Sequence, residues 1–330
     1  MNIYMKAKNC LIFGGSGQIG GNLIRKLTKN NIKVTVVTRN IHQKALKIKT
    51  QGNAGYIEII ESSIYNENKI EKLFSETDFC INLVGTLYES KKGNTFHNIH
   101  TVFPTLLAKL CRKYNLENFL HISALGINEA SDSKYAISKL EGEKNILNNF
   151  SKATILRPSI VFSSSDNFST LFMTLLNRLP FFPIYYSGKT KFTPIHCSDL
   201  TDIIYNVLLK KNNSQIIECV GPEVLTFKEI LEILLNLIEK KRFLIPMPLV
   251  LANLSAKFFQ LFPRPLLTVD QLRLLKYDNI VSGKYKTNTD IGIPSKLLFK
   301  NEVKKYSHMW KEGGQFSTEK YNMKNLDINN

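Results

Sequence analysis

The segment that most constrains the fold is a glycine-rich loop that directly follows a short apolar run. Residues 9–13 (NCLIF) read as a buried strand, and the loop GGSGQIG comes next, before a helical pattern. In this order Gly14 permits a tight turn, Gly17 lets a pyrophosphate approach the backbone, and Gly20 lets the helix pack closely. The helix N-terminus offers free N–H groups and a positive dipole end to phosphates. A glycine triplet alone also occurs in structural turns, but here the surrounding order predicts a dinucleotide site.

The rest of the N-terminal half alternates between apolar runs and helical patterns. The apolar runs that read as further strands are 33–39, 56–60, 79–85, 118–123 and 153–159. This alternation predicts an α/β fold, a doubly wound parallel Rossmann sheet with right-handed crossovers. The alternation ends after residue 162, although TPIHCSDL reads as a strand and a helix cap that return to the sheet. We therefore expect a Rossmann domain at 1–162 and 194–222 and a smaller C-terminal lobe at 163–193 and 223–330.

The residue at the end of the second strand predicts which dinucleotide binds. An acidic side chain there would accept hydrogen bonds from the adenosine ribose and favour NAD. This chain has Arg39 in the stretch VVTRN, with no Asp or Glu within several residues. A guanidinium suits a 2′-phosphate through charge-assisted hydrogen bonds, and the alternative is a solvated surface arginine. We predict NADP(H) as the cofactor.

Tyr135 and Lys139 form a candidate catalytic pair. They lie four residues apart, on one face of a helix that follows the fifth strand. In short-chain dehydrogenases the lysine lowers the phenol pKa and holds the nicotinamide ribose, while the tyrosine passes the proton. Two further Tyr–Lys pairs, at 4/8 and 65/69, share the spacing but not the position. Position therefore selects Tyr135 and Lys139.

These enzymes also need a serine or threonine just after the fifth strand, to orient the substrate oxygen. The stretch HISALG places Ser123 one residue early and Ala124 in that slot. An alanine side chain makes no hydrogen bond, and losing such a group costs an enzyme about 10²–10³ in rate. A shift of one residue would return Ser123 to the role, so both assignments stay open.

Composition restricts the classes of partner. Lys and Arg outnumber Asp and Glu by 44 to 27, and the net charge of +17 could attract phosphate, acidic lipid or an acidic protein. No nucleic-acid motif accompanies this charge, so we predict no nucleic-acid partner. The cysteines form no CxxC pair and the histidines no HExxH motif, so no metal site is predicted. No apolar run approaches the ~18 residues of a membrane span, and residues 1–8 lack a signal-peptide core.

One segment of the predicted C-terminal lobe has the character of a surface helix. Residues 249–262 (LVLANLSAKFFQLF) place apolar side chains at 251, 254, 258 and 261 or 262. Basic residues flank the segment, namely Lys240, Lys241, Arg242 and Arg264. An apolar helix edged with cations can lie in a bilayer interface or against a partner. The alternative is an ordinary core helix.

Several stretches in order resemble one family. They are FGGSGQIG, CINLVGTLYES, HISALG, SKYAISKLEGE, ATILRPSIVF, TPIHCSDL and VDQLRLLKYDNIVS, between residues 13 and 282. Together they resemble the nucleotide-binding accessory subunit of respiratory complex I, an atypical extended short-chain dehydrogenase, and its bacterial homologues. The SALG and DQLRLLKYDN segments are the most specific, and the resemblance covers about nine-tenths of the chain.

The resemblance implies a protein that holds NADPH without turnover and supports the complex, on the cytoplasmic or matrix side of the inner membrane. It implies adenosine and phosphate contacts from Gly14, Ser16, Gly17, Gln18, Ile19 and Arg39. On the nicotinamide side it implies Leu83, Val84, Gly85, Ser123, Tyr135, Lys139 and Pro158. Ser62 and Ser63 replace the polar pair that usually meets the adenine.

Two other functions remain open. One is a true enzyme, a NADPH-dependent reductase or a nucleotide-sugar epimerase or dehydratase that uses Tyr135 and Lys139. Ala124 speaks against it, as does the apolar lobe without a diphosphate clamp. The other is a redox-sensing module that reports NADPH levels to a partner, for which the sequence offers no switch element.

Overall fold

The computed structural model describes residues 8–90, 93–209, 216–263 and 265–314. Arg264 and residues 315–330, which carry parts of the expectations above, lie outside the described residues. The strands are β1 (Asn9–Phe13), β2 (Lys33–Thr38), β3 (Ile57–Glu61), β4 (Phe79–Asn82), β5 (Asn118–Ile122), β6 (Thr154–Pro158), β7 (Val161–Phe162), β8 (Phe181–Ile184), β9 (Lys191–Phe192), β10 (Ile195–His196), β11 (Ile216–Cys219), β12 (Leu225–Thr226), β13 (Phe243–Pro246) and β14 (Lys286–Thr287).

The helices alternate with these strands in the N-terminal half. They are α1 (Gln18–Lys29), α2 (Ile41–Lys49), α3 (Glu67–Glu71), α4 (Phe103–Lys113), α5 (Lys134–Asn149), α6 (Ser169–Arg178), α7 (Cys197–Leu209), α8 (Phe227–Leu237), α9 (Leu249–Phe259), α10 (Val269–Leu274) and α11 (Phe299–Ser307). Short 3₁₀ turns span Lys72–Glu76, Tyr185–Gly188 and His308–Trp310, and a π-helical turn spans His97–Val102. Within the described ranges, no helix is both long and apolar enough to cross a membrane.

Eight strands form one parallel sheet, in the order β14-β11-β6-β5-β4-β1-β2-β3. The chain moves outward from β1 to β3 and then returns to β4 on the other side of β1. The carboxyl ends of β1 and β4 therefore meet where the strand order reverses, which is where open α/β sheets bind ligands. The doubly wound Rossmann prediction is confirmed.

Both faces of the sheet are covered by helices, as its buried strands require. On one face, α1 and α7 bury Leu23, Ile24 and Ile204 against the sheet. On the other face, Phe103 and Leu107 of α4 pack with Phe119 of β5. A third cluster joins α6, α8 and α11 beyond the sheet, around side chains such as Phe162, Phe227 and Phe299.

Three strand expectations need correction. The fourth strand ends at Asn82 rather than at residue 85, because the chain turns away where its backbone meets Gly14. The strand in TPIHCSDL is β10, which pairs with β7 in a separate two-stranded sheet, whereas β11 extends the main sheet. Residues 286–287, which the predicted division gives to the C-terminal lobe, form the edge strand β14 of the main sheet. The division into two lobes otherwise stays a prediction.

Helix α9 lies on the surface, so the core-helix alternative for 249–262 is wrong. Of its residues only Ala252 and Ala256 are buried, and they pack with Leu272 of α10. The predicted apolar stripe faces outward, and Leu254 is 65% exposed. We call this exposed stripe the apolar face of α9; it consists of Val250, Leu251, Leu254, Phe258, Leu261 and Phe262.

Candidate functional site

The glycine-rich loop after β1 is shaped by close backbone contacts. Gly14 has φ +83°, and a Cβ there would lie 2.9 Å from the carbonyl carbon of Leu83, so the position requires glycine. A Cβ on Gly20 would lie 2.4 Å from the oxygen of Gly15, so α1 packs closely on its own loop. Gly15 is the glycine of the loop that lies closest against the sheet, because a Cβ there would lie 2.6 Å from the Val36 side chain. Sequence reasoning did not single out Gly15.

The first turn of α1 leaves backbone donors available to an anion. Gly17 is the N-cap, has no side chain to cap the helix and is exposed. The amide nitrogen of Gly17 donates to the oxygen of Gly14 (3.1 Å), and the helical ladder starts only with the amide nitrogen of Gly21. Gln18 uses its side chain to bridge to the oxygen of Val161 (3.3 Å), while Ile19 packs against the core. Backbone N–H groups at 18 to 20 therefore suit phosphate oxygens.

Arg39 lies directly after β2, at the adenosine end of the predicted site, and its side chain is exposed. Strand register brings Glu61 beside this point, because Thr38 pairs with Glu61 across β2 and β3. The Glu61 carboxylate accepts a hydrogen bond from the Ile41 amide (2.9 Å) and so anchors the start of α2. Glu61 is therefore an acidic residue close to Arg39, although it is distant from Arg39 in the sequence.

The serine pair that follows β3 has two different environments. Ser62 is buried, and its amide donates to the oxygen of Thr38 (2.9 Å). Ser63 is exposed, and its hydroxyl accepts from the amide of Tyr65 (3.3 Å). Ser63 is therefore the member of the pair whose side chain is accessible to an adenine.

Residues 83–85 leave β4 beside the phosphate loop. The Leu83 amide donates to the oxygen of Phe13 (2.9 Å), and the side-chain oxygen of Asn82 caps the Val84 amide (3.1 Å). A Cβ on Gly85 would lie 3.7 Å from Lys139 Nζ. The turn therefore brings the predicted nicotinamide-side residues 83–85 next to the Tyr135–Lys139 helix.

Tyr135 and Lys139 lie on α5 with the ammonium 5.9 Å from the tyrosine ring centre. Lys139 Nζ donates to the oxygen of Ile122 (3.0 Å), and burial lowers the pKa of Lys139 to about 8. The pKa of Tyr135 is raised, first by burial and then by the negative charge of Asp270. This direction is opposite to the one that a proton-transferring phenol needs at neutral pH.

Ser123 lies immediately after β5 with its hydroxyl buried. That hydroxyl has no hydrogen-bond partner among the described residues, while the Ser123 amide donates to the oxygen of Leu156 (2.7 Å). A buried hydroxyl without a partner carries a desolvation cost, which a polar group of a bound molecule would relieve. This hydroxyl and the free donors of α1 fit a dinucleotide. Pro158 ends β6 nearby, and its oxygen accepts from the Leu125 amide (2.9 Å).

His100 belongs to this region although no sequence pattern indicated it. It lies on the π-helical turn His97–Val102, and π-helical turns are frequent at functional sites. Its Nε2 accepts from the Thr86 amide (3.2 Å), which assigns the proton of the neutral ring to Nδ1, next to Ser138 Oγ (3.0 Å). Burial lowers the His100 pKa to about 2, and its ring meets the Tyr135 ring edge-on with centres 5.1 Å apart. His100 is thus a neutral, fully buried residue that packs against Tyr135.

The DQLRLLKYDN segment contacts the site from the C-terminal side of the chain. Asp270 of α10 accepts hydrogen bonds at the start of α5 from Ser133 Oγ (2.8 Å), Lys134 N (2.8 Å) and Tyr135 N (3.0 Å). Asn279 donates to the oxygen of Leu125 (2.7 Å), within the SALG stretch. The two most specific sequence segments therefore hold each other.

Apolar contacts reinforce this link. One cluster around Ile127, Ala130 and Ala136 also includes partly buried residues from both segments. Those partly buried residues are Ala124, Tyr135, Leu140, Leu274 and Tyr277. Ala124 therefore belongs to a packed apolar cluster that the C-terminal segment completes.

The described residues contain no group of three or more His, Cys, Asp or Glu side chains arranged to hold a metal ion. The five cysteines are buried free thiols. Burial raises the pKa of the Cys197 thiol to about 12, so this cysteine stays protonated.

Sheet topology, phosphate loop and the Tyr135–Lys139 helix together define a dinucleotide-binding protein of the extended short-chain dehydrogenase type. The chain belongs to the NAD dependent epimerase/dehydratase family, which matches residues 10–219. The fold is similar to that of UDP-glucuronic acid 4-epimerase from Bacillus cereus, solved with UDP-glucuronic acid and NAD. The TM-score is 0.70 at 18% identity, over 91% of this chain and 99% of that one.

Several curated relatives are subunits of the NADH:ubiquinone oxidoreductase, respiratory complex I. The chain is 25% identical over 284 residues to the NADH-ubiquinone oxidoreductase 40 kDa subunit of Neurospora crassa, covering 86% of this chain and 74% of that protein. It is 26% identical over 299 residues to the NADH dehydrogenase (ubiquinone) 1 alpha subcomplex subunit 9 of Arabidopsis thaliana, covering 87% and 74%. The resemblance to complex I accessory subunits is confirmed.

Proposed function

We propose that this chain is a NADP(H)-holding accessory subunit of respiratory complex I, peripheral on the cytoplasmic or matrix side of the inner membrane. One observation carries the proposal: the apolar face of α9 is exposed to solvent on the isolated chain. An exposed apolar face of this kind marks an interaction surface. The similarity to complex I subunits supports a protein complex as its partner.

A protein partner fits the apolar face of α9 better than lipid does. Two of the flanking cations are already engaged, because Lys240 pairs with Glu312 and Arg242 donates to the oxygens of Leu176 and Asn177. A lipid-facing helix would instead present its cations to headgroups. We therefore assign the apolar face of α9 to a subunit of the complex.

The double variant Leu254→Glu with Phe258→Glu tests this assignment. It should release the chain from the complex without unfolding it, since both side chains are exposed. Leu46→Glu is the matched control, because Leu46 is an exposed apolar residue on α2. Loss of complex binding in the control as well would contradict the assignment. Binding of the isolated wild-type chain to anionic vesicles, abolished by the double variant, would assign the face to lipid instead.

The preference for NADP(H) rests on Arg39. Its exposed guanidinium follows β2, where an adenosine 2′-phosphate would lie, and Glu61 is occupied by the Ile41 amide. Arg39→Asp should weaken NADPH binding about 10- to 100-fold, since it removes charge-assisted hydrogen bonds and adds a like charge. NADH binding should change by no more than a few-fold.

Fluorescence titration with both cofactors measures this difference. Lys49→Asp is the matched control, because it makes the same charge change at an exposed position at the far end of α2. It should leave both affinities nearly unchanged. Equal losses of NADPH and NADH affinity in Arg39→Asp would refute a phosphate-reading role.

We propose that the bound nucleotide is not turned over. Ala124 cannot orient a substrate oxygen, and the raised Tyr135 pKa opposes proton transfer. The rival function is a NADPH-dependent reductase, or a nucleotide-sugar epimerase or dehydratase. The Ser123 hydroxyl, which has no hydrogen-bond partner among the described residues, favours this rival because it could take the substrate-orienting role. Single-turnover oxidation of bound NADPH by candidate substrates, abolished by Tyr135→Phe, would establish the rival.

A further inference from the structure

A polar groove of about 560 Å³ runs along the outer side of α1. We call it the α1 groove. Its walls are α1, the end of α2, the serine run at 163–165 and α11, with His196 between them. Of the residues assigned above to the dinucleotide, it includes only Gly17 and Gln18. The α1 groove therefore starts beside the phosphate loop and leads away from the nicotinamide side.

The α1 groove carries uncompensated positive charge. Arg25, Lys47 and Lys305 line it, and its one carboxylate, Glu302, is already bound by Lys305 through both oxygens (2.6 and 2.7 Å). The ion pairs of the described chain include neither Arg25 nor Lys47. Two cations in one concave surface attract an anion more strongly than they would on a flat one.

The Arg25 guanidinium and the His196 ring are held in place by neutral partners. Arg25 donates to the Gln51 side-chain oxygen (2.7 Å), and the Gln51 amide donates to the backbone oxygen of Lys47 (3.0 Å). His196 accepts from the Ser198 amide through Nδ1 (3.2 Å), which assigns the proton of its neutral ring to Nε2. The arrangement needs little reordering to receive a ligand, which favours binding.

The lining also defines the chemical class of the ligand. Besides the rings of His196 and Tyr306 it contains glycines, serines, amides and charged groups, and it has no aliphatic side chain, so lipid tails and apolar peptides do not fit. Its volume lies within the range of small-molecule sites, about 300–1,000 Å³. Cations bind phosphate, whereas serine hydroxyls and the amides of Asn22 and Gln51 bind hydroxyl groups.

We propose that the α1 groove binds a small phosphorylated polyol, separately from the dinucleotide. Arg25 and Lys47 hold the phosphate, and the serines and amides hold the hydroxyl groups. Of the residues assigned to the dinucleotide only Gly17 and Gln18 line the groove, whereas Arg39, Ser123 and Tyr135 do not, so a chain loaded with NADPH should still bind this ligand.

Titration calorimetry of the NADPH-loaded full chain with inorganic pyrophosphate tests the proposal. The double variant Arg25→Gln with Lys47→Gln should bind pyrophosphate at least 10-fold more weakly than the wild type. The control, Lys29→Gln with Lys49→Gln, removes the same two charges from exposed positions on the same helices and should stay within 2-fold.

A second variant places a carboxylate inside the groove. Gly21 lines the groove, and a Cβ there would have its nearest neighbour, the Gln51 oxygen, at 3.6 Å, so Gly21→Glu should fold and abolish pyrophosphate binding. Absence of binding to the wild type would overturn the proposal. So would equal losses in the Gln variants and their control, or displacement of pyrophosphate by added NADPH. None of these results bears on Arg39 or α9, so the proposed function is tested separately.

Discussion

Asp270 is the strongest polar link between the C-terminal segment and the helix of Tyr135 and Lys139. Asp270→Ala removes three hydrogen bonds at once, from Ser133 Oγ, Lys134 N and Tyr135 N. Hydrogen bonds to a charged group are worth about 1.5–3 kcal/mol each, and an N-cap about 1 kcal/mol. Because Lys134 is exposed, water replaces part of this energy. We expect the free energy of unfolding to fall by about 2–3 kcal/mol.

The same variant should weaken NADPH binding about 5- to 10-fold, because the start of α5 orients Tyr135 and Lys139. Asp270→Asn keeps one oxygen acceptor and should show a smaller loss of both quantities. Urea denaturation and NADPH titration measure the two effects. Glu229→Ala is the control, since it breaks the capping box with Thr226 on α8, away from the site. It should lower stability by about 1 kcal/mol and leave NADPH affinity unchanged.

An Asp270→Ala variant that loses stability but keeps wild-type NADPH affinity would refute this prediction. The C-terminal segment would then stabilise the fold without positioning the nucleotide-side helix. A loss of NADPH affinity in Glu229→Ala of the same size would be equally damaging, because any destabilisation would then produce it.

Three further predictions concern α5. Burial lowers the Lys139 pKa from 10.5 to about 8. The buried ammonium therefore destabilises the folded state to its full extent below pH 8, and this destabilisation fades as the pH rises to 10.5. Lys139→Met should therefore raise the free energy of unfolding by about 1–2 kcal/mol at pH 7, a net gain that includes the loss of the Lys139 hydrogen bond. In urea titrations this gain should fade toward pH 10.5. A gain independent of pH would contradict the burial argument. Gly142→Ala should lower the free energy of unfolding by more than about 2 kcal/mol in urea titrations, because a Cβ there would lie 1.9 Å from the oxygen of His100. Gly21→Ala should be neutral or stabilising in the same titrations. Glu143→Gln breaks the buried bidentate ion pair with Arg157 of β6 and should lower the free energy of unfolding by about 3–5 kcal/mol in urea denaturation. A loss below about 1 kcal/mol would show that the pair is not truly buried.

The sheet and the phosphate loop could be predicted because their signals are local. Apolar runs identify buried strands, and the tight turn at Gly14, with its positive φ, directly follows β1. The apolar stripe of α9 was likewise visible in its spacing. The spacing could not show whether the stripe faces a core or the solvent, because this depends on which other elements cover it.

The features that escaped sequence reasoning depend on contacts between distant segments. Asp270 meets Tyr135 across 135 positions of sequence, and Glu61 reaches the end of β2 only through strand register. His100 takes its role from a π-helical turn, for which no spacing rule exists. The end of β4 at Asn82 is set by the approach of Gly14, which no periodicity in residues 79–85 encodes.

Native-gel separation of detergent-solubilised membranes, probed for this chain and stained for NADH dehydrogenase activity, tests whether the chain is a fixed, nucleotide-holding part of complex I. We expect the chain to migrate with the activity band, and NADPH to be recovered from that band in about equimolar amount. A chain found only apart from the activity band, in the soluble fraction, would show that it is not part of the complex.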